Sequence, residues 1–88
     1  MPIKHQCPCC DYFTLEERGR YDICPVCFWE DSGQDLDRID EHSGPNHQTL
    51  REARAHFTEF GACDRAMLEH ILPATERRRY EHSGRKVD

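Results

Sequence analysis

The sequence predicts a small α+β fold in which a β-hairpin carrying two cysteine turns is followed by one or two helices. Three observations support this prediction: two Cys-Pro-x-Cys pairs, two short β-prone runs between them, and an apolar stripe at helical spacing further along the chain. Of the 88 residues, 36% are hydrophobic, 33% are charged and six are cysteines. A core this small usually needs a disulfide or a metal ion to be stable.

The predicted hairpin lies between the two cysteine pairs. Residues 12–15 and 21–23 contain aromatic and β-branched side chains, which favour strands. A charged segment that contains Gly19 separates the two runs and is typical of a turn. We therefore expect the two runs to pair, with one cysteine turn at each end of the hairpin.

The first predicted helix begins after Thr49. This residue is a typical N-cap, and Glu52 three residues later completes a capping box. Gly61 is the expected end of the helix. The apolar stripe consists of Leu50, Ala53, Phe57 and Phe60. We expect Leu50, Phe57 and Phe60 to pack the helix against the hairpin.

Three further segments complete the predicted organisation. Residues 30–46 are polar and acidic, and we expect them to form a loop of about 15 residues. A shorter second helix starts at Asp64 and ends before Pro73. Residues 1–73 then form a single zinc-stabilised domain, while the polar residues 74–88 form a C-terminal tail that we expect to be flexible.

The predicted metal ligands are Cys7, Cys10, Cys24 and Cys27. Thirteen residues separate the two pairs, slightly fewer than the roughly 15–20 of many four-cysteine zinc sites, and a compact hairpin accommodates the difference. The N-terminus has no apolar signal segment, so we expect a reducing cytoplasm, where such cysteines bind metal instead of forming disulfides. Two Cys-Pro-x-Cys knuckles would supply a tetrahedral four-sulfur site for one structural zinc ion, and the expected hairpin is zinc-ribbon-like.

The two remaining cysteines leave alternatives open. Cys9 lies between two predicted ligands, so Cys7, Cys9 and Cys10 compete for two positions in the site. The combination of Cys7 and Cys10 repeats the spacing of the second pair and is the simpler choice. Cys63 is expected to be a small buried apolar residue and not a fifth ligand.

The identity of the metal also has an alternative. Four thiolates bind iron as well as zinc, and rubredoxins use paired cysteine knuckles of this kind. Phe28 follows the second pair, where rubredoxins have glycine. We therefore expect zinc, and a rubredoxin-like electron carrier is the less favoured interpretation.

The acidic charge of the chain is concentrated in its first half. Residues 1–44 contain four basic and ten acidic side chains, whereas residues 45–88 contain eight basic and seven acidic ones. Because a nucleic-acid reader needs a basic patch against phosphates, we expect no nucleic-acid partner. No stretch approaches the roughly 20 apolar residues that a membrane span needs, so we expect no membrane partner.

The acidic segment instead suggests contact with another protein, because complementary charge speeds encounter and selects partners. The predicted partner contacts are Trp29, Glu30, Asp31, Asp35, Asp37 and Asp40. Trp29 also suits the core, whereas we expect the carboxylates at the surface. A small hydrolase is an alternative, with a second metal bound by Asp31, Asp35, His42 and His47. The free chain is expected to be a monomer.

Five motifs carry a family resemblance: CPCC at residues 7–10, YDICPVCFWED at 21–31, GPNH at 44–47, LREAR at 50–54 and FTEFGAC at 57–63. Together they resemble the bacterial cysteine-rich CPCC family over about residues 7–63. The resemblance implies a small zinc-ribbon-like protein. Some members of that family look like immunity partners of secreted antibacterial toxins. The most specific function it implies is therefore an immunity-type inhibitor that binds a partner toxin with a basic surface.

Overall fold

The computed structural model of the chain describes residues 4–87. The strands are β1 (His5–Gln6), β2 (Phe13–Leu15), β3 (His42–Ser43) and β4 (Gln48–Thr49), and the α-helix is α1 (Leu50–Phe60). Three 3-10 helices span Leu36–Arg38, Arg65–His70 and Ala74–Arg79. β1 pairs antiparallel with β2, and β3 with β4, so the fold is small α+β with two short hairpins. None of the helices in the described part of the chain has the length and apolar character to cross a membrane.

Each cysteine pair lies in its own chain reversal, and this differs from the single hairpin that was predicted. The first cysteine pair lies between β1 and β2, which pair with each other. The second cysteine pair lies between Ile23 and Glu30, which form a β-bridge. Within residues 4–87, the expected pairing of residues 12–15 with 21–23 is not formed. Each Cys-Pro-x-Cys turn reverses the chain within a few residues. The strand that enters the turn therefore meets the strand that leaves it, at little cost in loop-closure entropy.

The core lies where the two cysteine turns meet α1. Its largest fully buried side chains are Trp29, Leu15, Leu50 and Val26, and the cysteines complete it. Trp29 was a predicted partner contact as well as a core candidate, and the structure places it in the core with no exposed surface. Among the described residues, six of the thirteen buried hydrophobic residues are thus cysteines.

Helix α1 follows the prediction closely. The Thr49 hydroxyl accepts a hydrogen bond from the Glu52 backbone N–H at 3.1 Å, and the Glu52 carboxylate accepts one from the Thr49 backbone N–H at 2.9 Å. Gly61 ends the helix in the left-handed region (φ 91°), and its N–H donates to the Phe57 carbonyl. The capping box and the helix end are therefore confirmed.

The apolar stripe of α1 is buried only in part. Leu50 and Ala53 are fully buried, and the half-buried Phe57 packs against the core with its ring 6.4 Å from that of Tyr12. Phe60 lies outside the core, with its ring stacked on His56 at 5.5 Å. The expectation that Phe60 helps to dock the helix is wrong. It occupies the last helical position, where α1 has already passed the edge of the core.

The polar segment after the second cysteine pair is more regular than the predicted loop. Asp35 caps the 3-10 helix Leu36–Arg38 by accepting from the Leu36 N–H at 2.8 Å. β3 and β4 follow, joined by a turn in which the His47 N–H donates to the Ser43 carbonyl. The segment therefore returns directly to the N-cap of α1.

The second predicted helix is a 3-10 helix. Asp64 is its N-cap, as expected, and accepts from the Ala66 N–H at 3.1 Å, and the helix ends at His70, ahead of Pro73. Its i→i+3 hydrogen bonds give a tighter coil than an α-helix, which is common for short connecting segments.

The C-terminal segment, predicted to be flexible, is packed against the first cysteine turn. The Phe13 N–H donates to the Glu81 carbonyl at 2.8 Å, and the Ser83 N–H donates to the Asp11 carbonyl at 3.3 Å. Residues 81–83 thereby satisfy the backbone N–H of Phe13, at the start of β2, and the carbonyl of Asp11 just before the strand. Unpaired backbone groups at a strand edge would otherwise be open to pairing with another chain. The domain boundary at residue 73 remains a prediction, but hydrogen bonds of the described residues cross it.

Candidate metal centre

The structure brings Cys7, Cys10, Cys24 and Cys27 together, with the four Sγ atoms all within 4.8 Å of one another. Two of these separations are 3.6 Å (Cys7 to Cys27) and 3.7 Å (Cys10 to Cys24). Sulfur atoms at the corners of a tetrahedron with Zn–S bonds of about 2.3 Å lie roughly 3.8 Å apart, whereas a disulfide bond is about 2.05 Å long. The cluster therefore fits a tetrahedral metal ion, and all six cysteines are free thiols.

The two turns present their cysteines in the same way. The Asp11 N–H donates to the Cys7 carbonyl at 2.9 Å, and the Phe28 N–H donates to the Cys24 carbonyl at 2.7 Å. Asp11 (φ 67°) and Phe28 (φ 68°), each directly after the second cysteine of its pair, are in the left-handed region. The two cysteine pairs, which have the same spacing in the sequence, therefore adopt the same backbone geometry.

The cluster is closed to solvent. The four cysteines are between 0% and 3% exposed. Four thiolates fill a tetrahedral coordination sphere, which is the arrangement of structural sites, whereas catalytic sites keep one position open. A metal ion bound by these four cysteines would hold the two turns together with no open coordination position.

Cys9 and Cys63 are buried beside the cluster but are not part of it. The Cys63 N–H donates to the Cys27 carbonyl at 2.8 Å, which ties the chain after α1 to the second turn. Burial raises the pKa of the Cys63 thiol to about 12. Cys63 is therefore a neutral buried side chain near pH 7. Of the three cysteines in the first turn, Cys7 and Cys10 lie in the cluster and Cys9 does not.

The pKa values of the four clustered thiols are shifted in different directions. Burial raises the pKa of the thiols of Cys7, Cys10 and Cys27. Burial also opposes ionisation of Cys24, but hydrogen bonds from the neighbouring thiols and from Thr14 hold its pKa below the ordinary value. The Thr14 hydroxyl donates to Cys24 Sγ at 3.0 Å. A divalent cation bound by the four sulfur atoms would replace the thiol protons and stabilise all four cysteines as thiolates.

Arg54 supports the first turn from outside the cluster. Its guanidinium donates to the Pro8 carbonyl at 2.6 Å and to both carboxylate oxygens of Asp11, at 2.8 and 2.9 Å. The Arg85 N–H and Nε donate to the same carboxylate at 2.8 and 2.9 Å. These contacts have no local signal in the sequence, because 43 and 74 residues separate the two arginines from Asp11.

Asp31 is a correction to the predicted partner surface. This carboxylate is fully buried and accepts from Arg18 Nε and the Gly19 N–H, both at 2.8 Å, and from the Gly33 N–H at 3.2 Å. The three donors replace the water that a surface carboxylate would bind. Asp31 thus fixes the segment after the second turn, and with Trp29 also buried neither side chain is accessible to a partner.

The other predicted contacts are accessible to different degrees. Asp35 is half-buried, with carboxylate oxygens 2.8 Å from Arg18 and 3.2 Å from Arg85. Burial opposes its ionisation, but the hydrogen bond from Arg18 holds its pKa below the ordinary value. Asp37 and Asp40 are exposed, and Asp40 pairs with Arg51 at 2.7 Å. Glu30 is half-buried, so the predicted surface remains available at Glu30, Asp37 and Asp40.

The residues of the alternative hydrolase site are not assembled. Asp31 and Asp35 are held by Arg18, whereas His42 lies in β3 and His47 in the turn that follows. Within residues 4–87, the four-cysteine cluster is the one group of three or more possible ligands whose donor atoms lie close enough together for a metal ion. The cysteine cluster is therefore the candidate metal site among the described residues.

Comparison with known proteins gives the family of this chain. Searches of curated proteins and of solved structures give no match to it. A family model described as "Cysteine-rich CPCC" matches residues 5–78. The match extends the resemblance seen in the sequence, which ended near residue 63, through the 3-10 helix Arg65–His70 and into the last 3-10 helix. The chain belongs to the cysteine-rich CPCC family.

Proposed function

We propose that this protein is a zinc-stabilised module that acts by binding another protein. The observation that carries the proposal is the closed cluster of four cysteines, which are at most 3% exposed. A metal ion bound there has no open coordination position, so its role is to hold the fold. The function then resides in the surface that the fold presents.

In this proposal one zinc ion is bound by Cys7, Cys10, Cys24 and Cys27, and the two turns act as zinc knuckles of a ribbon-like fold. Zinc supplies a redox-inert cross-link between the turns. Four reduced thiolates suit a cytoplasmic protein, because thiols stay reduced in that compartment. Iron would suit the same ligands, and a coloured metal-loaded protein would identify it.

Charge supports a protein partner of basic character. The chain carries a formal net charge of −5 at pH 7, and Asp37 and Asp40 present carboxylates to solvent. Complementary charge raises association rates and excludes wrong partners. In its most specific form, the proposal is that the free chain is a monomeric immunity-type inhibitor that binds and neutralises a toxin with a basic surface.

The test is chemical cross-linking of the zinc-loaded chain to its partner in cells, followed by binding kinetics with the purified pair. Replacing Asp37→Asn and Asp40→Asn together should slow association and weaken its salt dependence, because exposed charges act mainly on the association rate. Asp31 and Asp35 are unsuitable for this test, since their carboxylates hold Arg18.

The matched control replaces two exposed acids elsewhere, Glu59→Gln and Glu69→Gln, and should leave the association rate unchanged. Equal effects of the two double variants would mean that only total charge matters. If the folded, zinc-loaded chain retains no protein specifically, the proposed function is contradicted.

A further inference from the structure

A groove lies beside the second cysteine turn, bounded by the turn between β3 and β4 and by the 3-10 helix Arg65–His70. We call it the Ile23 groove. It has a volume of about 120 Å³, and its apolar walls are formed by Ile23, Phe28, Pro45 and Met67. An engineered apolar cavity of about 150 Å³ admits a benzene molecule, so the Ile23 groove has room for roughly one apolar side chain.

The groove exposes apolar surface that the fold does not cover. Ile23 is 46% exposed although it bridges to Glu30 through its backbone. The half-buried Phe28 is held in the left-handed region with its ring stacked on His70 at 5.1 Å. Contiguous exposed apolar surface with a polar rim is typical of interaction sites.

The polar rim of the groove contains two carboxylates, those of Glu30 and Asp64, together with Asn46 and His47. Asn46 fixes the Glu30 backbone at both its N–H (2.9 Å) and its carbonyl (2.8 Å). No hydrogen bond or ion pair to the Glu30 carboxylate occurs among residues 4–87. Asp64 provides a second carboxylate at the rim, and the guanidinium of the adjacent Arg65 lies over the Phe60 ring, 4.7 Å from its centroid. The Glu30 carboxylate is therefore available to a cation from outside the chain.

We propose that the Ile23 groove binds a segment of another protein that presents one apolar side chain next to a lysine or arginine. The apolar side chain fills the space between Ile23, Phe28 and Met67, while the cation pairs with Glu30. Charge complementarity specifies the occupant: two rim carboxylates beside an apolar cleft exclude an acidic segment. The inference rests on the proposed protein-binding function, whose surface and partner chemistry it names.

The test selects a random-peptide phage library on the immobilised, zinc-loaded chain. Enriched peptides should share an apolar residue adjacent to lysine or arginine. A synthetic peptide of the enriched sequence should bind Ile23→Arg at least tenfold more weakly, as expected for the loss of a central contact. Glu30→Gln should weaken binding several-fold and reduce its salt dependence.

The matched control is Val87→Arg, which makes a similar change at an exposed aliphatic residue that lines a different groove. This variant should bind the peptide as the unchanged chain does. Because Ile23→Arg could disturb the fold, zinc content and circular dichroism are compared, and NMR of the unchanged chain adds a second readout. Added peptide should shift the methyl resonances of Ile23 and Met67.

Failure of this inference is separable from failure of the proposed function. A library that yields no enriched sequence, or peptides that bind Ile23→Arg and Val87→Arg equally well, would overturn the assignment of the groove. The protein-interaction function stands in that case if the cross-linked partner still binds both variants. If Ile23→Arg loses partner binding and Val87→Arg keeps it, both the groove assignment and the proposed function are supported.

Discussion

Asp11 and Phe28 hold equivalent positions in the two cysteine turns, and both require a left-handed backbone, with φ values of 67° and 68°. Asp tolerates this region better than most residues, whereas a bulky aromatic residue rarely adopts it. The Asp11 side chain also gains two arginine partners. Phe28 gains only its packing against the core and the contact with His70, so the second turn stores the larger backbone strain.

The strain at Phe28 predicts an unusual order of stability for two variants. Both Phe28→Ala and Phe28→Gly remove the ring, but only glycine adopts φ near 68° without steric cost. Phe28→Gly should therefore be more stable than Phe28→Ala by about 1 kcal/mol. Denaturant unfolding of the zinc-loaded variants at equal free zinc measures the difference.

Ala55 provides the comparison site, because it is exposed within α1. There Ala55→Gly should destabilise by about 1 kcal/mol, the usual cost of glycine in a helix. Phe28→Ala at least as stable as Phe28→Gly would show that the second turn is not strained.

At this scale the cluster of four cysteines was predictable, because the spacing within each cysteine pair is a local property of the chain. The burial of Asp31 was not. Its partners Arg18 and Gly19 precede it by 13 and 12 residues, across the second turn. In sequence, Asp31 is one of six acids in a polar segment. Only the folded structure shows that Asp31 is buried, whereas Asp37 is exposed.

The elements whose signals are local were the ones predicted well. The capping box and the end of α1 depend on contacts within a few residues, and the structure has them at the expected positions. The hairpin depends on which strands meet, and two β-prone runs do not specify that. In this chain the cysteine turns determine the pairing, because the first turn joins β1 to β2 and the second joins Ile23 to Glu30.

Docking of α1 gives a prediction at the element scale. Phe57 packs against the core and lies under the Arg77 guanidinium, 5.0 Å from the ring centroid. Because Phe57 is half-buried, Phe57→Ala should cost about 2 kcal/mol, less than the roughly 3–5 kcal/mol of a fully buried phenylalanine. Denaturant unfolding of the zinc-loaded variant measures this loss.

Phe60→Ala is the matched change one turn along the same helix. Its ring contacts His56 and Arg65 outside the core, so this variant should lose about 1 kcal/mol or less. Similar losses for the two variants would show that α1 does not dock through Phe57.

The whole molecule is tied together by a chain of charged side chains. Arg54 and Arg85 both bind Asp11, Arg85 also reaches Asp35 at 3.2 Å, and Asp35 shares Arg18 with Asp31. These contacts join α1, the C-terminal segment, the first cysteine turn and the acidic segment. The sequence does not predict these ion pairs, because ion pairs between distant segments leave no periodic signal. For this reason the polar C-terminal segment was expected to be flexible, whereas in the fold its Arg85 pairs with Asp11 and Asp35.

At the scale of the whole molecule, the stability of the fold is expected to depend on the metal. Binding of structural zinc supplies about 10 kcal/mol or more in small domains, comparable with the entire stability of about 5–15 kcal/mol of a typical domain. Without a cation, four buried thiols would remain at the centre of the core. Excess chelator should therefore abolish the circular dichroism signal of the folded chain, and elemental analysis of the untreated protein should find one zinc per chain.

Two serine variants separate the role of the cluster from that of buried cysteines in general. Cys24→Ser removes one sulfur ligand and should lose zinc and unfold. Cys63→Ser makes the same change at another buried cysteine outside the cluster, so it should keep one zinc per chain and remain folded. A chain that stays folded and metal-free in excess chelator would contradict the structural role of the metal. Equal zinc affinity in both variants would contradict the proposed ligands. Loss of one of the four thiolates must weaken a tetrahedral site, whereas Cys63 is not one of the four.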